Sequence, residues 1–333
     1  MDLKGIVFFC FFGCFMFVHS QKMHGLSFVG TRADIQLSQV KKIQDVNANW
    51  VTLMPFGYLY SLQDSLVKFN RTGQWKGETA KGINETIPLF HQAGIKVMLK
   101  PQLWIRNGAF TGKIDLKSKR EWASFKRSYS TFILHFAALA EEHRLPLFCI
   151  GTELASVVEN DPDYWRDLII SIRQIYSGKL TYAENWDSYT KVDFWDQIDF
   201  IGVNAYFPLK GKESLSVSVL KKRWIPTVTV LTQLSDSLKC PVVFTEMGYR
   251  SIDDPVSRPW DYRQKDVHFN PVAQAIALEA LFETFQPKSW WAGGFVWKWF
   301  PQHSTAGGNG HKGFTPQNKM AETVLRSYFT KAE

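Results

Sequence analysis

The sequence predicts an α/β fold, a single (β/α)₈ barrel with elaborated βα loops, and three observations carry that prediction. Short apolar runs recur along the chain, amphipathic stretches separate them, and polar residues follow as each run ends. Parallel strands covered on both faces need apolar runs, and the crossovers joining them need helices with one apolar face.

The runs occupy residues 25–29, 50–54, 95–99, 147–150, 180–183, 200–203, 242–244 and 294–297, which makes eight. Between them, Ile83, Ile87 and Phe90 share a helical face that ends at Gly94, a position suited to a left-handed cap. Trp122, Phe125, Tyr129, Phe132, Ile133 and Phe136 repeat at three-to-four-residue spacing and are expected to form one buried face. Trp165, Leu168, Ile169, Ile172 and Ile175 do the same before Gly178. Pro271 opens a helix over 272–285, where proline's missing N–H costs little, and Thr315-Pro316 is expected to open the last one. Segments 58–75, 206–224 and 250–269 are expected as βα-loop elaborations at the end of the barrel where active sites are built. No linker, repeat or low-complexity tract interrupts the chain, so residues 21–333 are expected to form one catalytic domain.

Residues 1–20 read as a signal peptide, with Lys4 ahead of an apolar run over 6–18 and cleavage after Ser20. Lipidation at Cys14 is the alternative, so the chain is expected outside the cytoplasm, as a secreted, periplasmic or cell-surface protein, without stable membrane insertion after cleavage. Cys149 and Cys240 would remain, each in an apolar run where a free cysteine behaves as a small hydrophobe, with a disulfide between them left open.

The net charge of +8 comes from 39 Lys and Arg against 31 Asp and Glu. Those basic residues are scattered over helix-like segments, as at Lys41, Lys42, Lys221, Lys222 and Arg223, and no nucleic-acid motif accompanies them, which argues against a nucleic-acid partner. The 8 His stand isolated, without metal-site spacing. The 13 Trp and 26 Phe exceed what such chains commonly hold, and Trp is a side chain that stacks on sugar rings as well as filling cores.

Arg32 follows the first run, Lys100 and Gln102 the third, Thr152 and Glu153 the fourth, Glu184 and Asn185 the fifth. Asn204 and Tyr206 follow the sixth, Thr245 and Glu246 the seventh, Lys298 and Trp299 the eighth. In a barrel, the C-terminal ends of the strands all face one mouth. Glu153 and Glu246 stand out because each directly follows a strongly apolar strand, and glycosidic cleavage needs such a carboxylate pair. Glu184 is a weaker rival on a less apolar strand, and Asp199 precedes its strand and belongs at the barrel floor.

The segments Gly151-Thr152-Glu153-Leu154 and Phe244-Thr245-Glu246-Met247-Gly248-Tyr249, with Trp297 ending the eighth run, resemble the clan A glycoside hydrolases, and most closely glycoside hydrolase family 113, the β-mannanase family. The likeness extends through Trp75-Lys76-Gly77-Glu78-Thr79, Ala183-Glu184-Asn185-Trp186 and Gly202-Val203-Asn204-Ala205-Tyr206 to Phe314-Thr315-Pro316-Gln317. It implies a retaining double displacement on a polysaccharide or oligosaccharide, with Glu153 as acid/base and Glu246 as nucleophile and no cofactor or metal. By the same resemblance Tyr206 should hydrogen-bond near Glu246 and help keep it ionised, and Trp297 should floor the subsite of cleavage. Thr152 stands where most families of the clan place Asn, and should make a shorter contact to the sugar. Trp104, Asn185, Trp186, Lys100, Asn204, Glu78 and Arg32 are further candidate sugar contacts. The acid Glu153 should have a raised pKa, with Glu246 as the expected cause. Endo-β-1,4-mannanase is the favoured reading. An exo-acting β-mannosidase, another β-glycan hydrolase of the clan and a non-catalytic sugar-binding barrel remain alternatives.

Overall fold

A computed structural model describes residues 21–330; the expected signal peptide lies outside them. Ten strands form: β1 (Met23–Phe28), β2 (Trp50–Leu53), β3 (Phe56–Leu59), β4 (Lys96–Leu99), β5 (Gln102–Ile105), β6 (Leu147–Thr152), β7 (Lys179–Asn185), β8 (Phe200–Asn204), β9 (Val242–Met247) and β10 (Trp291–Trp299). Eight of them close a parallel barrel in the order β1-β2-β4-β6-β7-β8-β9-β10, with β10 paired back onto β1. These are the eight runs read from the sequence, and most extend a little beyond the apolar residues. The remaining two, β3 and β5, pair with each other in a separate two-stranded sheet. The sequence reading has a loop from residue 58 and no strand over 102–105; each strand has only four residues and the partners lie more than forty residues apart in sequence.

The helices are α1 (Leu37–Gln44), α2 (Ala80–Gln92), α3 (Lys119–Glu142), α4 (Ala155–Asn160), α5 (Pro162–Arg173), α6 (Val217–Leu238), α7 (Pro271–Phe285) and α8 (Met320–Thr330). Helix α3 starts at a capping box in which Ser118 Oγ accepts from Glu121 N and the Glu121 carboxylate accepts from Ser118 N. Of the face the spacing predicts, Phe125, Tyr129, Phe132, Ile133 and Phe136 are buried and Trp122 is half-buried. Gly94 has φ +69° just past α2, the left-handed position expected of it.

Two further expectations need correction, and one open question closes. The last helix starts at Met320 rather than at Thr315-Pro316. Thr315 and Gln317 are buried in the turn before it, where the Gln317 amide bonds both N and O of Phe300 and ties the turn to the end of β10. The 206–224 segment is loop only to Ser216, whose hydroxyl caps α6 by accepting from Val219 N, and Trp224 is buried in the core. The disulfide left open is not formed, since Cys149 and Cys240 are both free and buried.

Between β7 and β8 the crossover has two short 3₁₀ turns, Tyr189–Lys191 and Trp195–Gln197, in place of an α-helix. Phe194 stacks on Trp165 with ring centroids 5.4 Å apart, so aromatic side chains fill the space a helix would take. Inside the barrel, Met23, Trp50, Met98, Leu147, Cys149, Ala183, Phe200, Val243 and Phe295 pack as an apolar floor. Gly25 is required there, because a Cβ on it would lie 2.2 Å from the Phe295 ring. Among the described residues no helix is long and apolar enough to cross a membrane.

Candidate active site

Alternation along a strand carries the same face from floor to mouth. Met98 lies in the floor and Lys100 two residues on reaches the mouth; Phe295 and Trp297 repeat this on β10. Register shifts near the mouth, between Cys149 and Thr152 on β6 and between Val203 and Asn204 on β8, re-aim the residues that follow.

Glu246, on β9, is almost fully buried, and three donors surround its carboxylate. Lys100 Nζ lies 2.5 Å and Gln102 Nε2 3.2 Å from Oε1, while the Tyr206 hydroxyl donates to Oε2 at 3.0 Å. Lys100 has no exposed surface, so this ion pair is shielded from water. Burial, with the Glu246 charge second, holds the Tyr206 hydroxyl well above its usual pKa, so it remains a donor. A second ammonium, Lys298, packs over the rings of Trp297 and Phe300 at 5.3 and 5.2 Å. Burial lowers its pKa, and attraction to Glu246 partly opposes that.

Glu153 follows β6 and sits at φ +52°, the left-handed region that a residue with a Cβ seldom adopts. Its N–H donates to Ala183 O at 2.8 Å and its carbonyl accepts from Thr111 Oγ1 at 3.0 Å, and both bonds hold it there. Asn204 Nδ2 donates to Oε1 at 2.9 Å, and the Asn204 amide is oriented by Thr245 Oγ1, which donates to its Oδ1 at 2.9 Å. Burial pushes the Glu153 pKa up to about 7, with the negative charge of Glu246 second and the Asn204 bond opposing. The sequence reading named Glu246 as the cause; desolvation is the larger one.

The rival carboxylate Glu184 is committed to structure. It accepts from Tyr182 Oη, Asn185 N and Ser188 Oγ at 2.8, 2.7 and 2.9 Å, latching the turn after β7. Asp199 pairs with Arg173 and Lys179 at the opposite end of the barrel, as expected.

The candidate sugar contacts divide. Tyr206 and Trp297 lie at the carboxylates, Tyr206 by its bond to Glu246 and Trp297 with Lys100 Nζ 6.0 Å from its ring. Lys100 and Asn204 also lie there, but they bond Glu246 and Glu153 themselves. Thr152 is buried, its hydroxyl 4.0 Å from Cys149 Sγ. Asn185 donates to Asp187 Oδ1 at 3.0 Å, and Trp186 stacks on Trp260 at 4.8 Å, so one Trp186 face is covered. Glu78 accepts from Tyr58 Oη at 2.5 Å, and Arg32 lies over Trp75 at 5.5 Å. Trp104 is half-exposed on β5.

Gln102, Thr245 and Lys298 were seen in the sequence as strand-end polar residues but not singled out, and Trp260 was passed over inside a long loop. No polar/apolar alternation marks Phe56-Gly57-Tyr58-Leu59-Tyr60, so β3 carries no local signal of its own. Across the mouth, Arg263 Nη2 donates to Gly108 O at 2.9 Å, so loops following β5 and β9 meet.

A carboxylic acid near neutral pKa facing a carboxylate ringed by donors is an arrangement able to protonate a leaving oxygen and stabilise or attack the carbon beside it. The family model for Glycoside Hydrolase Family 113 matches residues 26–319. Among solved structures, the family 113 β-mannanase AaManA from Alicyclobacillus acidocaldarius is 25% identical, with a TM-score of 0.82 over 94% of this chain and 98% of that one. A family 113 β-1,4-mannanase is 22% identical, with a TM-score of 0.79 over 94% and 99%. A Faecalibacterium prausnitzii β-glucuronidase shares the fold at 15% identity, with a TM-score of 0.61 over 94% of this chain and 49% of that one. No curated protein sequence matches the chain.

Proposed function

The chain belongs to glycoside hydrolase family 113, and from that premise we propose that it is a retaining endo-β-1,4-mannanase acting on β-mannan or glucomannan, with Glu153 as acid/base and Glu246 as nucleophile. The observation that carries the reading is the contrast between the two carboxyls, one raised toward neutrality and the other held by Lys100, Gln102 and Tyr206. The likeness to AaManA, a β-mannanase, supports the substrate.

In the first step the Glu153 carboxyl protonates the glycosidic oxygen while Glu246 attacks the anomeric carbon, forming a glycosyl-enzyme and releasing the leaving sugar. Oε2 of Glu246 has one donor against two on Oε1 and is the better placed to attack. Esterification removes the Glu246 charge, and the Glu153 pKa falls. Glu153 then takes a proton from water as the water attacks the same carbon, restoring both carboxyls. Lys100 and Tyr206 orient the nucleophile throughout. Trp297 and Trp104 offer rings to the sugar faces.

The bridge from Arg263 to Gly108 favours a second reading, exo action on a chain end, because a tie between the loops following β5 and β9 would close one side of an open cleft. Chromatography of products from mannan, glucomannan, cellulose and xylan separates the two. Mannan oligosaccharides of mixed length support endo action, mannose alone supports exo action, and cleavage of cellulose or xylan but not mannan overturns the substrate. Export through residues 1–20, by cleavage after Ser20 or lipidation at Cys14, is proposed as well; a mass spectrum of the mature N-terminus in its host tests it.

A further inference from the structure

The sheet of β3 and β5 leads outward from the carboxylates. On β5, Gln102 and Trp104 share one face, so the ring lies about 7 Å along the strand from the residue that bonds Glu246. Tyr58 sits opposite Trp104 in the register, and Tyr60 lies just beyond the end of β3. These rings open into a depression of about 430 Å³, which is within the size of small-ligand sites. Leu59 and Asn107 complete its lining with a mainly cationic set of side chains. Lys68, Arg71 and Arg106 line it against a single acid, Asp64.

The acid does not offset the cations by pairing with them. Asp64 Oδ2 accepts from Tyr60 N and Oδ1 from Leu66 N, both at 3.0 Å, so it is spent on the turn after β3. Lys68, Arg71 and Arg106 are exposed and form no ion pair among the described residues. The Arg106 guanidinium stacks over Tyr60 at 5.0 Å, which holds it at the rim of the depression. Nearby, Glu78 accepts from Tyr58 Oη; burial holds its carboxyl above the usual range, with the Tyr58 bond and the Arg32 charge opposing. The depression therefore combines aromatic rings with unpaired cations, whereas a neutral sugar would call for rings and neutral polar groups.

We propose that this depression is a distal subsite for an anionic sugar, one carrying a carboxylate or a sulfate ester, so that the glycan bound across the mouth is an acidic mannan rather than a purely neutral one. The proposal rests on the mannanase reading for the sugar at the cleavage point, and on the β3–β5 face for the charge. Aromatic rings stack on the pyranose while Arg71 and Arg106 pair with the anion in forked geometry.

The test is calorimetric binding to the full mature chain carrying Glu246→Gln, which separates binding from turnover. The probes are β-1,4-mannohexaose, a uronate-branched form and a sulfated form. At low salt the proposal expects at least one charged probe to bind about tenfold tighter than the neutral one, with the advantage gone at about 1 M salt, where the screening length is about 3 Å. Whichever of the two charged probes is favoured identifies the anion. Adding Arg71→Gln and Arg106→Gln should bring the charged-to-neutral affinity ratio close to one. A wild-type-site ratio near one at low salt, or a high ratio that survives the double substitution, overturns the subsite, as does absence of binding by every probe. Cleavage of neutral mannohexaose by the unsubstituted enzyme is read separately, so failure of the mannanase reading and failure of the subsite are distinguishable.

Discussion

The floor and the mouth of the barrel are built from the same strand faces two residues apart, and they obey opposite rules. At the floor, Phe295 and Trp50 meet edge to face at 6.3 Å, the side chains packed together are apolar, and burial is favourable for each. At the mouth, Lys100, Glu246, Tyr206 and Asn204 are buried as deeply, yet burial opposes the Lys100 and Glu246 charges and leaves every polar group in need of a partner, which the bonds at the mouth supply. Met98 in β4 and Lys100 just past its end show the change over two residues. The floor carries stability, and the mouth holds strained and desolvated groups at a cost in stability because chemistry needs them.

That contrast is open to direct attack, first where the effect is largest. Glu246→Ala should lower kcat by about 10⁴ or more while the far-ultraviolet circular dichroism stays native; residual activity above about a hundredth removes Glu246 from the nucleophile role. Lys100→Met removes a fully buried partner of that carboxylate, and kcat should fall about 10²–10³ with a smaller change in KM. If Lys100 is a sugar contact, as first expected, KM will rise instead. At the floor, Phe295→Ala should cost about 3–5 kcal/mol in chemical denaturation and leave kcat within about twofold at a temperature where the variant is folded.

The pH behaviour of Glu153 sharpens the same contrast. Its folded pKa is raised to about 7, above the ordinary carboxylate value, so the fold favours the protonated form. Stability from this group is full below the ordinary value and is lost as pH rises through about 7; activity should fall over the same limb because the acid loses its proton. Glu153→Gln should therefore raise the melting temperature at pH 8, leave it nearly unchanged at pH 4, and suppress turnover at both. The smallest effect belongs to Asn204→Ala. The Asn204 bond lowers the Glu153 pKa, so its removal should move the alkaline limb of kcat/KM upward, with kcat reduced about tenfold.

The same division explains what the sequence discloses. Floor strands and helix faces are legible because period two and period 3.6 are local patterns, and Glu153 and Glu246 are legible because each directly follows an apolar strand. The Tyr206 hydroxyl bonds Glu246, the contact the resemblance implies. Lys100 and Asn204 were assigned to the sugar, since nothing local says that a residue after β4 reaches a carboxylate on β9, or that one on β8 reaches Glu153. Those contacts depend on barrel closure and on the register shifts at the mouth. The β3–β5 sheet was missed for a similar reason, because pairing of two four-residue strands is decided by tertiary position rather than by their own short pattern.

The most direct test of the account is to trap the covalent intermediate with a 2-deoxy-2-fluoro-β-mannosyl fluoride and map the labelled peptide by mass spectrometry. The account predicts one sugar per chain, attached at Glu246, with turnover lost in step with labelling. Attachment at Glu184, or no adduct together with a product of inverted anomeric configuration, would contradict it.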